Sequence, residues 1–158
     1  MKTLTLLILL TLATTQAQVR DYQYFAVGSS YATIPHTNTF TPNVLLQAGI
    51  VYNIWDVSIN VELVELEPSY LSYYAQLQVL PFPDVYGVEM LTGIKYGRVV
   101  RDGGAYLYGG VQGELRRNVL GKFFVSLVGN YDYRGDINSM WGKDYFVYTT
   151  HLKLGINL

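Results

Sequence analysis

The chain contains no cysteine. That excludes a disulfide scaffold, a lipid anchor on an N-terminal cysteine and a thiolate metal site. Its 2 histidines give little basis for a transition-metal centre, and no cofactor is expected. Charge is scarce as well. Lys and Arg number 11 and Asp and Glu 12, so a net charge of −1 leaves no electrostatic footprint for nucleic acid. Charged residues make up 15% of the chain, against about 25% in an ordinary soluble domain. Beyond the first residues no apolar run approaches the ~20 positions of a membrane helix. No P-loop or dinucleotide fingerprint is present, and Asp102-Gly103-Gly104 is turn chemistry rather than a phosphate cradle.

What the chain does have is 15 tyrosines and a strict two-residue alternation of oily and polar positions. Residues 1–17 stand apart. Lys2, the apolar run Leu4 to Leu12 and the small-residue stretch Ala13 to Ala17 form a signal peptide, with cleavage before Gln18. The alternative, a membrane anchor, needs a longer apolar run. The alternation is clearest at the other end. Phe146, Tyr148, Thr150, Leu152, Leu154, Ile156 and Leu158 share one face of a strand; Val147, Thr149, His151, Lys153, Gly155 and Asn157 share the other.

Similar segments recur at about ten residues each, the length of a tilted strand crossing a bilayer. They predict eight strands: Val19–Tyr31, Asn43–Asn53, Val57–Val64, Tyr70–Leu80, Val85–Gly97, Gly104–Leu115, Phe123–Tyr133 and the C-terminal strand. The facing of the first stays open, since Phe25 and Val27 compete with Tyr22, Tyr24 and Ala26 for the outer side. The expected short connections are Ile54-Trp55-Asp56, Pro81 to Asp84 and Arg116 to Lys122. The expected longer ones are Ala32 to Pro42, Glu65 to Ser69, Arg98 to Gly103 and Arg134 to Asp144.

A secreted lipocalin also has eight alternating strands, with its apolar face lining a ligand cavity. The polar columns decide between the two arrangements. They are rich in Gly, Ser, Asn, Gln and Tyr with about one charge per strand, which suits a crowded lumen better than a watered surface. The fold class read from this is all-β: an eight-stranded antiparallel up-and-down transmembrane β-barrel, over residues 18–158. Tyr52, Tyr73, Tyr86, Tyr96, Tyr131, Tyr133, Tyr145 and Tyr148 fall near strand ends, where an aromatic girdle belongs.

With these columns the chain resembles the small outer-membrane barrel superfamily of OmpA- and OmpX-like proteins. The resemblance implies the outer membrane of a Gram-negative cell, contact with outer-membrane lipid, and insertion by the barrel assembly machinery. The ending Leu152-Lys153-Leu154-Gly155-Ile156-Asn157-Leu158 is similar to the terminal-strand signal read by that machinery, with Leu158 where Phe is usual. The segment Tyr106 to Leu158, opening with Leu107-Tyr108-Gly109-Gly110, resembles the TraO family of Bacteroides conjugative transposons. That likeness implies a Bacteroidota source and, as a partner, another envelope protein.

The inward candidates Glu62, Glu89, Lys95, Glu114, Asp132, His151 and Lys153 are expected to form a polar network plugging the lumen, since an unpaired buried charge is costly. A gated ion path is the alternative. No enzyme is expected. Lipid A deacylases carry a lipid-facing His and Ser two residues apart, and here His151 and Lys153 both turn inward. A triad of His36, Asp136 and Ser139, as in lipid A palmitoyltransferases, has no spacing that demands it. Arg134-Gly135-Asp136 reads as a rim salt bridge or turn before it reads as an adhesion motif, and Trp141 as a headgroup anchor. The expected role is structural or interactive in the cell envelope, with a conjugation subunit, a lipocalin-like binder and a lipid A-modifying enzyme as the other readings.

Overall fold

The computed structural model describes residues 20–33, 40–64, 70–81, 86–141 and 146–158. Residues 1–17, read from the sequence as a signal peptide, His36, Tyr145 and the Glu65 to Ser69 connection lie outside these. The elements are β1 (Asp21–Thr33), β2 (Phe40–Tyr52), β3 (Trp55–Val64), β4 (Tyr70–Val79), β5 (Val88–Arg101), β6 (Gly104–Leu120), β7 (Phe123–Arg134), a short helix α1 (Gly135–Trp141) and β8 (Phe146–Asn157). Each strand pairs antiparallel with the next, and β8 pairs with β1 to close the barrel. Closure leaves no strand edge unpaired.

The register sets the stagger. Pairings lead from Tyr22 through Val51, Asp56, Gln78, Gly93, Gln112, Asn130 and Thr149 back to Ala32, ten residues further along β1. Strands so staggered tilt by roughly 40°. Alternation then sorts the side chains. Phe25 and Val27 face out at 55% and 56% exposure while Tyr24 and Ala26 are buried, which resolves the facing of β1. Leu152 and Leu154 face out, and Gln76 and Gln78 are buried inside. This is the inverse of a lipocalin, whose apolar face lines the hollow.

Several boundaries differ from the sequence expectation, most of them for one physical reason. Charged residues read as connections belong to strands, because the lumen is where this barrel keeps its charge. β5 runs on to Arg101, so the expected connection Arg98 to Gly103 shrinks to the turn Asp102-Gly103. Both turn residues have positive φ, the type I′ geometry that Asp-Gly supports. β6 continues through Arg116 to Leu120, leaving Gly121-Lys122 as the turn. Trp55 and Asp56 belong to β3, and the turn there is Asn53-Ile54. β2 starts at Phe40 rather than Asn43, and β5 at Val88 rather than Val85. The loop expected from Arg134 yields Arg134 to β7 and forms α1 in its next residues.

The interior is filled by alternating large and absent side chains. Inward Gly49 lies under the Tyr24 ring and Gly155 under the Phe124 ring, where a Cβ would come within 2.5 and 2.1 Å of ring carbons. Tyr24 and Phe124 meet edge to face at 5.6 Å between ring centres. They close the end of the barrel where β1 begins and β8 finishes, the terminal end, while Tyr70, Tyr74 and Tyr108 pack toward the α1 end.

Candidate functional site

Two surfaces carry the chemistry of this barrel: a charged lumen and an apolar wall. The lumen charge forms linked clusters. At the terminal end, Arg116 of β6 projects inward against the touching rings of Tyr24 and Phe124, at 4.8 and 4.9 Å from their centres. Its Nη2 donates to Asp56 Oδ2 at 2.7 Å and its Nε to Glu114 Oε1 at 3.0 Å. The Tyr24 hydroxyl donates to the other Asp56 oxygen at 2.8 Å. Lys153 Nζ donates to Glu114 Oε2 at 2.9 Å and Gln47 Oε1 at 2.8 Å. Glu89 is ion-paired with Arg20 at the same end.

The middle is neutral. Gln47 donates to Ser58, Asn60 to Gln76, Gln76 to Gln78, and Gln78 to Glu114, joining β2, β3, β4 and β6. Toward the α1 end, Lys95 Nζ lies 2.8 Å from Asp132 Oδ2 and donates to the Tyr108 hydroxyl at 2.9 Å. Tyr108 in turn donates to Asp132. Lys95 Nζ lies against the touching Tyr74 and Tyr108 rings, 5.1 and 5.0 Å from their centres. Glu62 meets His151 Nε2 at 3.3 Å and accepts from Asn43 and Ser72. Asn130 Nδ2 lies 2.9 Å from His151 Nδ1.

The sequence-predicted set thus divides. Glu114 and Lys153 form one cluster, Lys95 and Asp132 a second, Glu62 and His151 a third, and Glu89 stands apart with Arg20. Sequence reasoning missed Asp56, Arg101 and Arg116, all buried; Arg134 and Asp136, read as a rim salt bridge or turn, do pair, and both are buried too. Inward parity was the available signal: Arg116 continues the column of Gln112 and Glu114. Arg134 grips Asp136 with two 2.8 Å bonds and reaches the Tyr70 hydroxyl at 3.0 Å, while Arg101 adds a 3.2 Å bond to Asp136. Burial alone would raise the Asp136 pKa, but bonding to Arg134 and the charges of Arg134 and Arg101 outweigh it and hold the carboxyl below its ordinary 3.8. Arg134-Gly135-Asp136 is therefore a closed internal clasp, not an open adhesion loop. Ser139 donates to the Asp136 backbone carbonyl at 2.9 Å. No group of three metal-ligating side chains occurs among the described residues.

The wall carries the exposed apolar surface. Tyr52 and Tyr86 lie at the terminal end, joined there by Trp55 and Phe123, which the girdle reading did not include. Tyr73, Tyr96, Tyr131 and Tyr148 face outward toward the α1 end, and Tyr133 is half-buried beside them. Tyr131 stacks on Phe146 at 4.9 Å. Among the described strand residues, the charged side chains on the outer face are Asp21, Arg98 and Arg117. Arg98 is in register with Leu107 on β6, ten residues from Arg117. At ~3.3 Å per residue and a tilt of roughly 40°, the two cations are about 25 Å apart along the barrel axis, the height of a membrane barrel's apolar band.

The fold is shared with solved barrels. A de novo designed transmembrane β-barrel superposes with a TM-score of 0.61 at 12% identity, covering 90% of this chain and 100% of the design. Neisserial surface protein A gives 0.56 at 14% identity, covering 87% and 96%. The N-terminal β-barrel domain of Pseudomonas aeruginosa OprF gives 0.57 at 13%, covering 89% and 100%. No family model matches the chain, so none supports the TraO resemblance. No curated protein matches it in sequence.

Proposed function

We propose that this chain is an outer-membrane β-barrel protein with a structural or interaction role in the cell envelope and a lumen sealed by its own side chains. The observation that carries this reading is the pairing of an apolar wall with a filled, charge-compensated interior. Leu154 is 63% exposed and Ile59 68%, whereas Arg116 and Lys153 inside the barrel are 1% and 2% exposed. In water, a closed wall of Leu, Ile, Val and Phe would be a large aggregation-prone surface; in lipid it is the required solvent face. The two outward arginines and the aromatic rims give that face the height of a bilayer core. The similarity in fold to outer-membrane barrels agrees.

The lumen network argues against a pore role. Six buried carboxylates, Asp56, Glu62, Glu89, Glu114, Asp132 and Asp136, interleave with buried Lys95, Arg101, Arg116, Arg134 and Lys153, with Arg20 on Glu89 and the His151 imidazole on Glu62. Charges so paired hold the walls together rather than line a path for ions. Function then falls to the wall and the rims, where lipid or another envelope protein would bind. β8, with its Leu152 to Leu158 ending, is the strand that insertion machinery would engage.

Envelope fractionation with a heat-modifiability gel tests the reading. The expected result is an outer-membrane band that migrates compactly unless boiled. A monomer that stays in the aqueous fraction without detergent would refute it. Pull-down in mild detergent then separates a lone barrel from a subunit of a larger envelope assembly.

A further inference from the structure

We infer that the outer wall over β5, β6 and β7 holds a phosphate-bearing acyl lipid, with the headgroup on Arg98 and one chain lying along β6. The inference deepens the membrane reading and rests on it. Arg98 faces outward near the α1 end, in register with Tyr73 and Leu107, and Tyr96 flanks it on its own strand. A guanidinium at the edge of an apolar band is matched in charge and hydrogen-bond geometry by a phosphate.

Below Arg98 the wall is furrowed. The outward column of β6 is Leu107, Gly109, Val111, Gly113 and Leu115, so its floor drops to bare backbone at two places. Gly109 lies in register between Tyr96 and Tyr133, whose side chains form banks on either side. Further down, a Cβ placed on Gly113 meets nothing within 4 Å, and the same holds for its β7 neighbour Gly129. The furrow ends in a recess of about 320 Å³ bounded by Pro81, Met90, Thr92, Gly113 and Leu115 and lined almost wholly by apolar surface. From Leu107 to Gly113 is six residues, roughly 15 Å along the tilted axis at ~3.3 Å per residue. That is about half of a ~30 Å hydrocarbon core, the depth one leaflet's acyl chain reaches. The polar end, the length and the greasy floor thus agree on one occupant: a lipid of the leaflet at the α1 end.

Native mass spectrometry in mild detergent tests this with two probes of identical acyl chains, dimyristoyl phosphatidylglycerol and dimyristoylglycerol, which lacks the phosphate. The wild-type barrel is expected to retain one phosphatidylglycerol about tenfold more tightly than the diacylglycerol, the worth of one charge-assisted contact. Arg98→Gln should bring the first down to the second. Gly113→Leu should weaken both, and its open surroundings let the barrel fold. Ala48→Leu, on the far wall, should change neither. Equal retention of the two probes by the wild type, or unchanged retention in Arg98→Gln and Gly113→Leu, overturns the site while leaving the membrane reading intact. Failure of the protein to enter detergent or bilayer at all overturns the membrane reading, and the lipid site with it.

Discussion

Replacing Arg116 by leucine tests whether the lumen is sealed and charge-compensated. The guanidinium holds Asp56 at 2.7 Å and Glu114 at 3.0 Å, and it packs against two aromatic rings that touch each other. After Arg116→Leu, Glu114 keeps Lys153 and Gln78, but among the described residues Asp56 keeps the Tyr24 hydroxyl as its hydrogen-bond donor and no ion pair. Breaking a buried pair from one side costs about 3–5 kcal/mol, most of it from the stranded partner. Neutralising that partner as well, in Asp56→Asn/Arg116→Leu, should therefore restore at least about 2 kcal/mol, a strongly non-additive result. Reversible urea unfolding in lipid vesicles, followed by the gel shift between compact and unfolded forms, gives both numbers. A loss under about 1 kcal/mol, with the double variant no better than the single one, would mean that water screens the guanidinium. The lumen would then be open to water rather than sealed.

Three further outcomes follow from the same geometry. Gly155→Val should destabilise the barrel by at least about 1–3 kcal/mol, because the Phe124 ring occupies the space of the new side chain, whereas Gly129→Ala on the open wall should be close to neutral in the same unfolding assay. Leu127→Lys, in mid-wall, should cost about 2–4 kcal/mol in a bilayer; equal stability of this variant and wild type in vesicles would place that face in water. The clasp of α1 should depend on pH. The folded-state pKa of Asp136 is lowered, so its contribution is complete above its ordinary 3.8 and is lost as pH falls through the lower folded value. Amide exchange in α1 should quicken only in that acid range, and Asp136→Asn should quicken it at neutral pH.

Alternation made the number of strands and most of their facings legible, because one buried face imposes a two-residue period whichever side is greasy. The boundaries were less legible wherever the lumen holds charge. Arg116-Arg117-Asn118 has the composition of a turn, yet Arg116 and Asn118 continue the inward column, and Arg117 sits at the foot of the apolar band. Arg101 and Asp56 were lost to connections in the same way. Pairing across the lumen could not be read at all. Arg116 and Asp56 are 60 residues apart, His151 and Glu62 89 apart, and nothing local links them. Their meeting depends on the ten-residue stagger, which is a property of the closed sheet. The helix α1 was hidden because part of what holds its first turn is tertiary: Asp136 is bonded by Arg134 two residues before it and by Arg101 from β5.

The stagger and the charges explain each other. A strand that slips by one residue exchanges its two faces. For β8 this would drive Lys153 and His151 into the wall and bring Leu152 and Leu154 into the lumen. A Lys at mid-bilayer costs about 2–4 kcal/mol, and its abandoned partner inside adds the cost of an uncompensated charge. An apolar lumen would impose no such penalty, since greasy residues would be acceptable on both faces and neighbouring registers would lie close in energy. Bonds from Arg116 to Asp56, Lys153 to Gln47 and Arg134 to Tyr70 each cross between strands that are not neighbours in the sheet. They form together only at one stagger. On this argument the buried charges serve first to select a single closed register, and variants that weaken them in matched pairs should lose uniqueness of folding before they lose stability.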